Sequence, residues 1–211
     1  DSTINVEAAN DTFVCLGSPV ELSAEANHTY NSGNNWFCGP DLGGCQGTTS
    51  MVQSGFSTNR ADLGSTPFMG GYEDGRIQYL FRAAELNALG FTGGTIEGLS
   101  WEVFANLSTI PYQDFNIRMG CTNLSSLGAF VNGLTPVFNG TDSVQTGWND
   151  FNFSVPYYWD GNSNLIIEVC FDNNIWTASD EVYYTNTGFT SVFYDYTDAS
   201  SGCNLSTGQG G

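Results

Sequence analysis

Apolar and polar residues alternate along much of the chain after residue 76. In residues 99–103, with the sequence LSWEV, every second side chain is apolar, so one face can be buried while the other faces water. This pattern is typical of a strand with one buried face and one solvent-exposed face. The same reasoning predicts further strands over residues 76–81, 115–121, 151–155, 165–171, 182–185 and 192–196.

Helical character is confined to one short segment. Residues 83–89 (AAELNAL) are good helix formers, and Gly90 follows where a glycine commonly ends a helix. Short strands separated by Gly-, Asn- and Asp-rich turns, with one short helix, predict an all-β fold. Because long loops separate the strands, we favour a jelly-roll-like β-sandwich, although an immunoglobulin-like strand order fits the same pattern.

The chain before residue 76 has weaker patterning. Two short strands are predicted around Val14 and over residues 20–22, joined by a Gly-Ser-Pro turn. The following segment is rich in Asn, Gly, Ser and Thr and is interpreted as long loops. Three parts are therefore expected: residues 1–27, a loop-rich, disulfide-containing segment over 28–75, and a β-sandwich module over 76–211.

The charge balance restricts the possible partners. The chain has 22 acidic residues against 4 basic ones, a net charge of −18, and no lysine. Such a protein repels phosphate backbones and anionic membrane surfaces, so nucleic acid is not an expected partner. No run of 18 apolar residues occurs, so membrane insertion is not expected either. Aromatic residues make up 14% of the chain, which suits a packed core and not a disordered acidic tail.

Six cysteines without a C-x-x-C pair indicate disulfides in an oxidising compartment, and they lack the spacing of a zinc site. Two disulfides are predicted, Cys38–Cys45 across a short glycine-rich loop and Cys170–Cys203. Cys15 and Cys121 then remain and form a third pair by default. The alternative is that one or more of the cysteines are free thiols in the core.

Residues for nucleophilic or acid–base catalysis are scarce. His28, the one histidine, lies in a polar loop, and no nucleophile elbow or phosphate-binding loop occurs. A jelly-roll glycosidase could still use two carboxylates. Glu97, Glu102 and Glu168 lie on predicted strands, but alternation with apolar neighbours indicates the solvent face for each. The chain is therefore predicted not to be an enzyme.

Two loops concentrate oxygen ligands that suit calcium. One begins at Asp160 and includes Asn162 and Asn164, and the other begins at Asp172. The glutamate that completes an EF-hand loop is missing, so that motif is not met. Calcium is the predicted cofactor, with Asp160 and Asn162 as its ligands and either Asn164 or Asp172 as a further one. Ordinary Asp-Gly and Asn turns are the alternative.

Tryptophans beside polar segments form a second candidate binding feature. Trp148, Trp159 and Trp176 are predicted to stack on sugar rings while adjacent Asn and Asp side chains bond hydroxyls. The alternative is that each ring anchors the core or a loop, since large aromatic side chains are mostly buried.

Three strings carry a family resemblance: RIQYLFRAAELNALGFTGGTIEGLSWEV, FNIRMGCT and GWNDFNFSVPYYWDGNSNLIIEVCFDNN. Together they resemble a module that recurs in large secreted surface proteins of gliding Bacteroidetes, adhesins and cargo of the type IX secretion system. The similarity runs from Arg76 to about Cys203. In addition, VCLGSPVELSAEA is similar to the first strands of the PKD/Ig-like repeats that accompany this module, so residues 1–27 are expected to be a partial repeat of that type.

The resemblance implies an extracellular, cell-surface role in adhesion or gliding motility and carries over no catalytic residues. Proteins of this group are O-glycosylated on Ser or Thr after Asp and before an apolar residue or threonine. Three positions match this pattern, namely Ser143, Ser2 and Thr12.

The function expected from the sequence is a non-catalytic adhesin or filament module. Its partners would be surface glycans, or other copies and domains of the parent surface protein. The alternative is a carbohydrate-binding module of a secreted enzyme, and a two-carboxylate hydrolase is the third possibility.

Overall fold

A computed structural model describes residues 6–8, 24–26, 59–61, 64–199 and 201–211. The chain divides into two compact units, Asp1–Ser50 and Met51–Gly211. In the first unit, strands β1 (Val6–Ala8) and β2 (Ala24–Ala26) pair antiparallel. The strands predicted within residues 14–22 and the Cys38–Cys45 pair lie outside the described residues.

The described part of the second unit contains strands that alternate with turns and one α-helix, α1 (Ala83–Ala88). The strands are β3 (Asn59–Ala61), β4 (Asp74–Phe81), β5 (Gly94–Ala105), β6 (Tyr112–Thr122), β7 (Thr135–Asp142), β8 (Gly147–Trp159), β9 (Asn164–Asp172), β10 (Glu181–Tyr184), β11 (Val192–Thr197) and β12 (Gln209–Gly210). A 3-10 turn covers Gly202–Asn204.

The strands of the second unit form two antiparallel sheets. One sheet has the order β3-β10-β5-β8 and the other has the order β12-β11-β4-β9-β6-β7. From β4 to β11 the chain crosses between the sheets at every connection except the one between β6 and β7. This arrangement confirms the predicted all-β sandwich with one short helix. No described helix is long and apolar enough to cross a membrane.

Aromatic rings from both sheets form the centre of the sandwich. Phe115 of β6 stacks on Phe151 of β8 with ring centroids 5.1 Å apart. Phe68 lies 5.7 Å from Phe115 and 6.1 Å from Phe151, and it is fully buried together with Met69. The segment before β4 therefore belongs to the sandwich core, and the boundary expected at residue 76 falls inside the sandwich.

Helix α1 confirms the prediction made from its sequence. At its start, the Arg82 backbone N–H donates to the Glu85 carboxylate at 2.9 Å. Leu86 is buried in the sandwich core, while Gly90 adopts a φ of +91° just after the helix.

The prediction that Glu168 lies on a solvent face is wrong, because its side chain is buried. It points away from the sandwich core, as the alternation requires. However, the connection between β6 and β7 and the C-terminal segment cover this outer face with a second apolar cluster. Its buried members are Leu80, Leu127, Phe130, Ile166 and Phe193.

Three neighbouring side chains donate hydrogen bonds to the buried Glu168 carboxylate, and the two arginines among them neutralise its charge. Arg76 donates from Nε at 2.8 Å and Gln78 donates from Nε2 at 2.6 Å, both to Oε2. Arg118 donates to Oε1 at 3.1 Å. These residues come from β4, β6 and β9, so the network joins three adjacent strands of the larger sheet.

The predicted Cys170–Cys203 disulfide is confirmed, and it fastens the C-terminal segment to β9. The default pairing of Cys15 with Cys121 is wrong, because Cys121 is a free and exposed thiol. Its sulfur accepts a hydrogen bond from the Tyr157 hydroxyl at 3.5 Å. Cys121 lies on the same face of β6 as the core residues Phe115, Ile117 and Met119, but it is exposed near the end of the strand, with no partner thiol among the described residues.

We expect Glu168→Ala to lower the free energy of unfolding by about 3–5 kcal/mol, because Arg76 then becomes a buried charge without its carboxylate. Urea unfolding followed by tryptophan fluorescence measures the change. Glu97→Ala, at an exposed position of β5, is the matched control and should change stability little. Equal losses in both variants would contradict the role given to the network.

Candidate ligand-binding cleft

Two segments that are distant in sequence meet at one end of the sandwich. Residues 68–73 precede β4, and residues 173–180 connect β9 to β10. Backbone N–H groups of the second segment donate to carbonyls of the first in three hydrogen bonds: Asn173 to Glu73 at 2.7 Å, Thr177 to Gly70 at 2.7 Å and Asp180 to Phe68 at 2.9 Å. The two loops are therefore joined into one layer.

The buried Asp180 side chain joins a third segment to this layer. Its Oδ1 atom accepts the backbone N–H groups of Leu107 at 2.5 Å and Ser108 at 2.7 Å, in the connection between β5 and β6. Its Oδ2 atom accepts the Tyr112 hydroxyl at 2.8 Å. One carboxylate thus positions the backbone of the β5–β6 connection against the β9–β10 connection.

Burial governs the protonation of this pair. Removal from water raises the pKa of Asp180 above its usual value, and the hydrogen bonds from Ser108, Leu107 and Tyr112 oppose that rise only in part. Burial also raises the pKa of the Tyr112 hydroxyl, and the negative charge of Asp180 raises it further. Tyr112 therefore stays protonated and remains a hydrogen-bond donor.

These three segments, together with Asp198 just after β11, line an open, shallow cleft of about 560 Å³. Two apolar side chains on its wall are unusually open to solvent, since Trp176 is 60% exposed and Leu107 is 48% exposed. The Tyr72 ring stacks on Tyr196 with ring centroids 3.8 Å apart. The lining residues are Gly71, Tyr72, Leu107, Trp176, Ala178, Ser179 and Asp198.

Polar groups at the cleft are held in fixed positions. The Glu73 backbone N–H donates to Oδ1 of Asp198 at 2.9 Å, and the Gly71 N–H donates to Oγ of Ser179 at 3.1 Å. The hydrogen bond with Tyr196 is the largest cause that raises the pKa of Tyr72, followed by burial and by the charges of Tyr196 and Asp198. The cleft thus presents the indole of Trp176, the ring of Tyr72 and the carboxyl group of Asp198.

The three predicted stacking residues lie in different places. Trp176 lines the cleft, whereas Trp148 is 49% exposed on β8 and pairs across the sheet with Glu102. The prediction that Trp159 stacks on a sugar ring is wrong, because its side chain is fully buried. Its ring packs 4.9 Å from that of Phe91, and its indole N–H donates to the Ser163 carbonyl, so it closes the core at the other end of β8.

The four predicted calcium ligands do not form one group, which corrects the sequence analysis. Asp172 lies at the opposite end of β9 from Asn164, about 26 Å away at the rise of an extended strand. Asn164 is engaged elsewhere, since its Oδ1 accepts the Ala83 N–H at 2.8 Å. No cluster of three or more His, Cys, Asp or Glu side chains that could hold a metal occurs among the described residues.

Asp160 and Asn162 remain together in the turn between β8 and β9. Oδ1 of Asp160 accepts the backbone N–H groups of Asn162 and Ser163, and Oδ2 accepts the Ser163 hydroxyl at 2.7 Å. Burial alone would raise the pKa of Asp160, but these hydrogen bonds outweigh it and lower the pKa. Calcium at Asp160 and Asn162 stays a prediction, in which solvent would supply the other ligands.

The candidate catalytic carboxylates are also apart. Glu168 lies on the outer face of the larger sheet and Glu102 on the outer face of the smaller one, so the whole sandwich separates them. Glu97 is exposed near the start of β5. Two carboxylates on facing walls of one cleft, which glycoside hydrolysis requires, do not occur in this set.

Ser143 is exposed just after β7, where its N–H is bound by the Asp142 carboxylate at 2.7 Å. It lines a smaller cleft of about 170 Å³ with the β5–β6 connection. The other two predicted glycosylation positions, Ser2 and Thr12, lie outside the described residues.

The sequence did not predict four residues at the cleft end of the sandwich, namely Tyr72, Leu107, Asp180 and Asp198. Tyr72 carried a usable signal, because it follows two glycines in an otherwise polar stretch. Asp180 carried none, since an aspartate before a strand is common and only the fold brings Leu107 and Tyr112 to it.

We expect Asp180→Ala to destabilise the protein by about 2–5 kcal/mol, because buried donors of Leu107, Ser108 and Tyr112 lose their acceptor. Asp180→Asn, which keeps one acceptor oxygen, should cost less. Thermal and urea unfolding measure both values. An alanine variant as stable as the wild type would contradict the anchoring role.

The same residue predicts a pH dependence. Because the pKa of Asp180 is raised in the fold, the folded state holds that proton more tightly than the unfolded state does. Its stabilising contribution is complete below the usual value of 3.8 and is lost as the pH rises through the folded value. The stability of the wild type relative to Asp180→Asn should therefore fall across that window in urea titrations and stay constant above it.

Comparisons of the chain with protein-family models, with curated proteins and with solved structures found no significant match.

Proposed function

We propose that this chain is an extracellular, non-catalytic binding module of the adhesin type, whose cleft takes the sugar rings of surface glycans. The observation that carries the proposal is the 60% exposed indole of Trp176 on the wall of the cleft. An exposed indole beside a concave, partly polar surface is a common feature of ligand sites. Tyr72 and Asp198 would supply the polar contacts to hydroxyl groups.

The cleft is suited to binding without a large conformational change. Its walls are positioned by the Asp180 carboxylate and by backbone hydrogen bonds between the two segments that form it. Such pre-organisation reduces the entropy that is lost when a ligand binds.

The disulfide and the charge support the compartment and the class of partner. The Cys170–Cys203 bridge indicates an oxidising environment, which an extracellular location would provide. A net charge of −18 without any lysine disfavours nucleic acid as a partner.

The second candidate function is a carbohydrate-binding module of a secreted enzyme. It is favoured by the outer face of the smaller sheet, where Trp148 is 49% exposed and Tyr183 is 36% exposed. On the same sheet, the Arg60 guanidinium lies 4.0 Å from the ring centroid of Phe104, and that ring contacts Tyr183 edge to face. A row of exposed rings along a sheet face would suit an extended sugar chain better than a single ring.

The two exposed tryptophans allow a matched test of the binding surface. On a glycan array, we expect Trp176→Ala to abolish binding or weaken it by at least about tenfold, since it removes the stacking face. Trp148→Ala should bind like the wild type. Loss of binding in Trp148→Ala alone would move the site to the outer face of the smaller sheet.

The array is run once with calcium and once with a chelator, which tests the calcium prediction at Asp160 and Asn162. Calcium-dependent binding would support it, and identical binding in both buffers would remove calcium from the function. Absence of glycan binding in both buffers would contradict the proposed function and favour contacts with other copies or domains of the parent protein.

Glycosylation at Ser143 is a separate expectation, because this serine is exposed and follows Asp142 directly. Intact mass of protein secreted by its natural host should exceed that of the bare chain. Ser143→Ala should remove the added mass from the corresponding peptide. A wild-type mass equal to that of the bare chain would exclude O-glycosylation.

A further inference from the structure

Positive charge is rare in this chain and is held away from the cleft. The chain has four basic side chains, and all are arginines. None of them lines the cleft. Each is engaged elsewhere: Arg76 and Arg118 by Glu168, Arg82 over the ring of Phe189, and Arg60 over the ring of Phe104.

Negative charge is placed at the cleft itself. Asp198 is exposed on its wall, and its carboxylate is fixed by the Glu73 backbone N–H at 2.9 Å. The charge of Asp198 acts on the neighbouring Tyr72, since it is one of the causes that raise the pKa of that phenol. A second carboxylate, Asp180, is buried behind the wall formed by Leu107. Asp198 is therefore the charged side chain that a ligand in the cleft would meet.

We infer that the cleft selects sugars by charge: it accepts uncharged rings and rejects rings that carry a carboxylate or a sulfate. This inference rests on the proposed function and names the class of glycan for that site. An uncharged ring offers hydroxyl donors to the Asp198 carboxylate and an apolar face to Trp176. An anionic ring would bring a second negative charge to Asp198, and none of the described residues that line the cleft is cationic.

The size of the discrimination follows from the repulsion between two like charges. For charges about 4 Å apart in a solvent-exposed site, this repulsion corresponds to a roughly five- to tenfold weaker affinity at low salt. Because exposed charges are screened, the discrimination should shrink at about 0.5 M salt. A ring with an amino group should bind at least as tightly as the neutral ring.

Matched ligand sets test the inference. Neutral oligosaccharides of glucose, galactose, mannose and N-acetylglucosamine are titrated calorimetrically, each beside its 6-carboxylate and 6-sulfate derivatives. We expect the neutral member of a set to bind and its anionic derivatives to bind roughly five- to tenfold more weakly in 20 mM salt. The ratio should approach unity in 500 mM salt.

Two variants that remove one negative charge each provide the internal control. Asp198→Asn retains an oxygen for the Glu73 N–H and should reduce the discrimination against the anionic sugars to about twofold or less. Glu97→Gln changes the net charge equally, but its position lies at the opposite end of β5 from Leu107. It should leave the discrimination unchanged.

The outcomes separate the inference from the function on which it rests. Absence of binding by every set would overturn both. Binding of anionic sugars as tight as that of the neutral ones would overturn the inference alone and leave the glycan-binding function in place. Loss of discrimination in Glu97→Gln as well as in Asp198→Asn would assign the effect to net charge and not to the cleft, and would also overturn it.

Discussion

The carboxylate of Asp180 is buried at one end of the sandwich, and segments distant in sequence provide its hydrogen-bond donors. A buried carboxylate is stable only while its oxygens accept hydrogen bonds. The position of Asp180 therefore determines the position of the β5–β6 connection, whose N–H groups donate to it. The backbone N–H of Asp180 also donates to the carbonyl of Phe68, which joins this end of the sandwich to the centre of the core. The shape of the cleft therefore depends on the hydrogen bonds of Asp180, a residue that does not line the cleft.

A second buried carboxylate organises the larger sheet in a comparable way. Glu168 binds Arg76, Gln78 and Arg118 across β4, β9 and β6, on the face that points away from the sandwich core. An uncovered sheet face would leave these groups in water, where they contribute little. The β6–β7 connection and the C-terminal segment exclude the water, so the loss of one charged partner would leave a buried charge uncompensated.

The sequence predicted the strands with regular alternation, such as β5 and β9, and the helix before Gly90, because those patterns depend on local periodicity. It missed β7, whose sequence TPVFNGTD contains residues more typical of turns. Alternation also placed Glu168 on the correct face but could not indicate that a loop covers that face. The cleft escaped prediction almost entirely, because Tyr72, Leu107 and Asp198 come together only through the crossing of the chain between sheets.

The bond between Cys170 and Cys203 also determines how the second unit carries a mechanical load. When tension is applied at the C-terminal end, β12 can peel from β11, because the two share few hydrogen bonds. The pulling force then reaches Cys203 and passes through the covalent bridge to β9. This strand is paired on both sides, with β4 and β6, so extraction must shear two ladders at once. A fold built in this way resists extension at its middle strand and not at its edge.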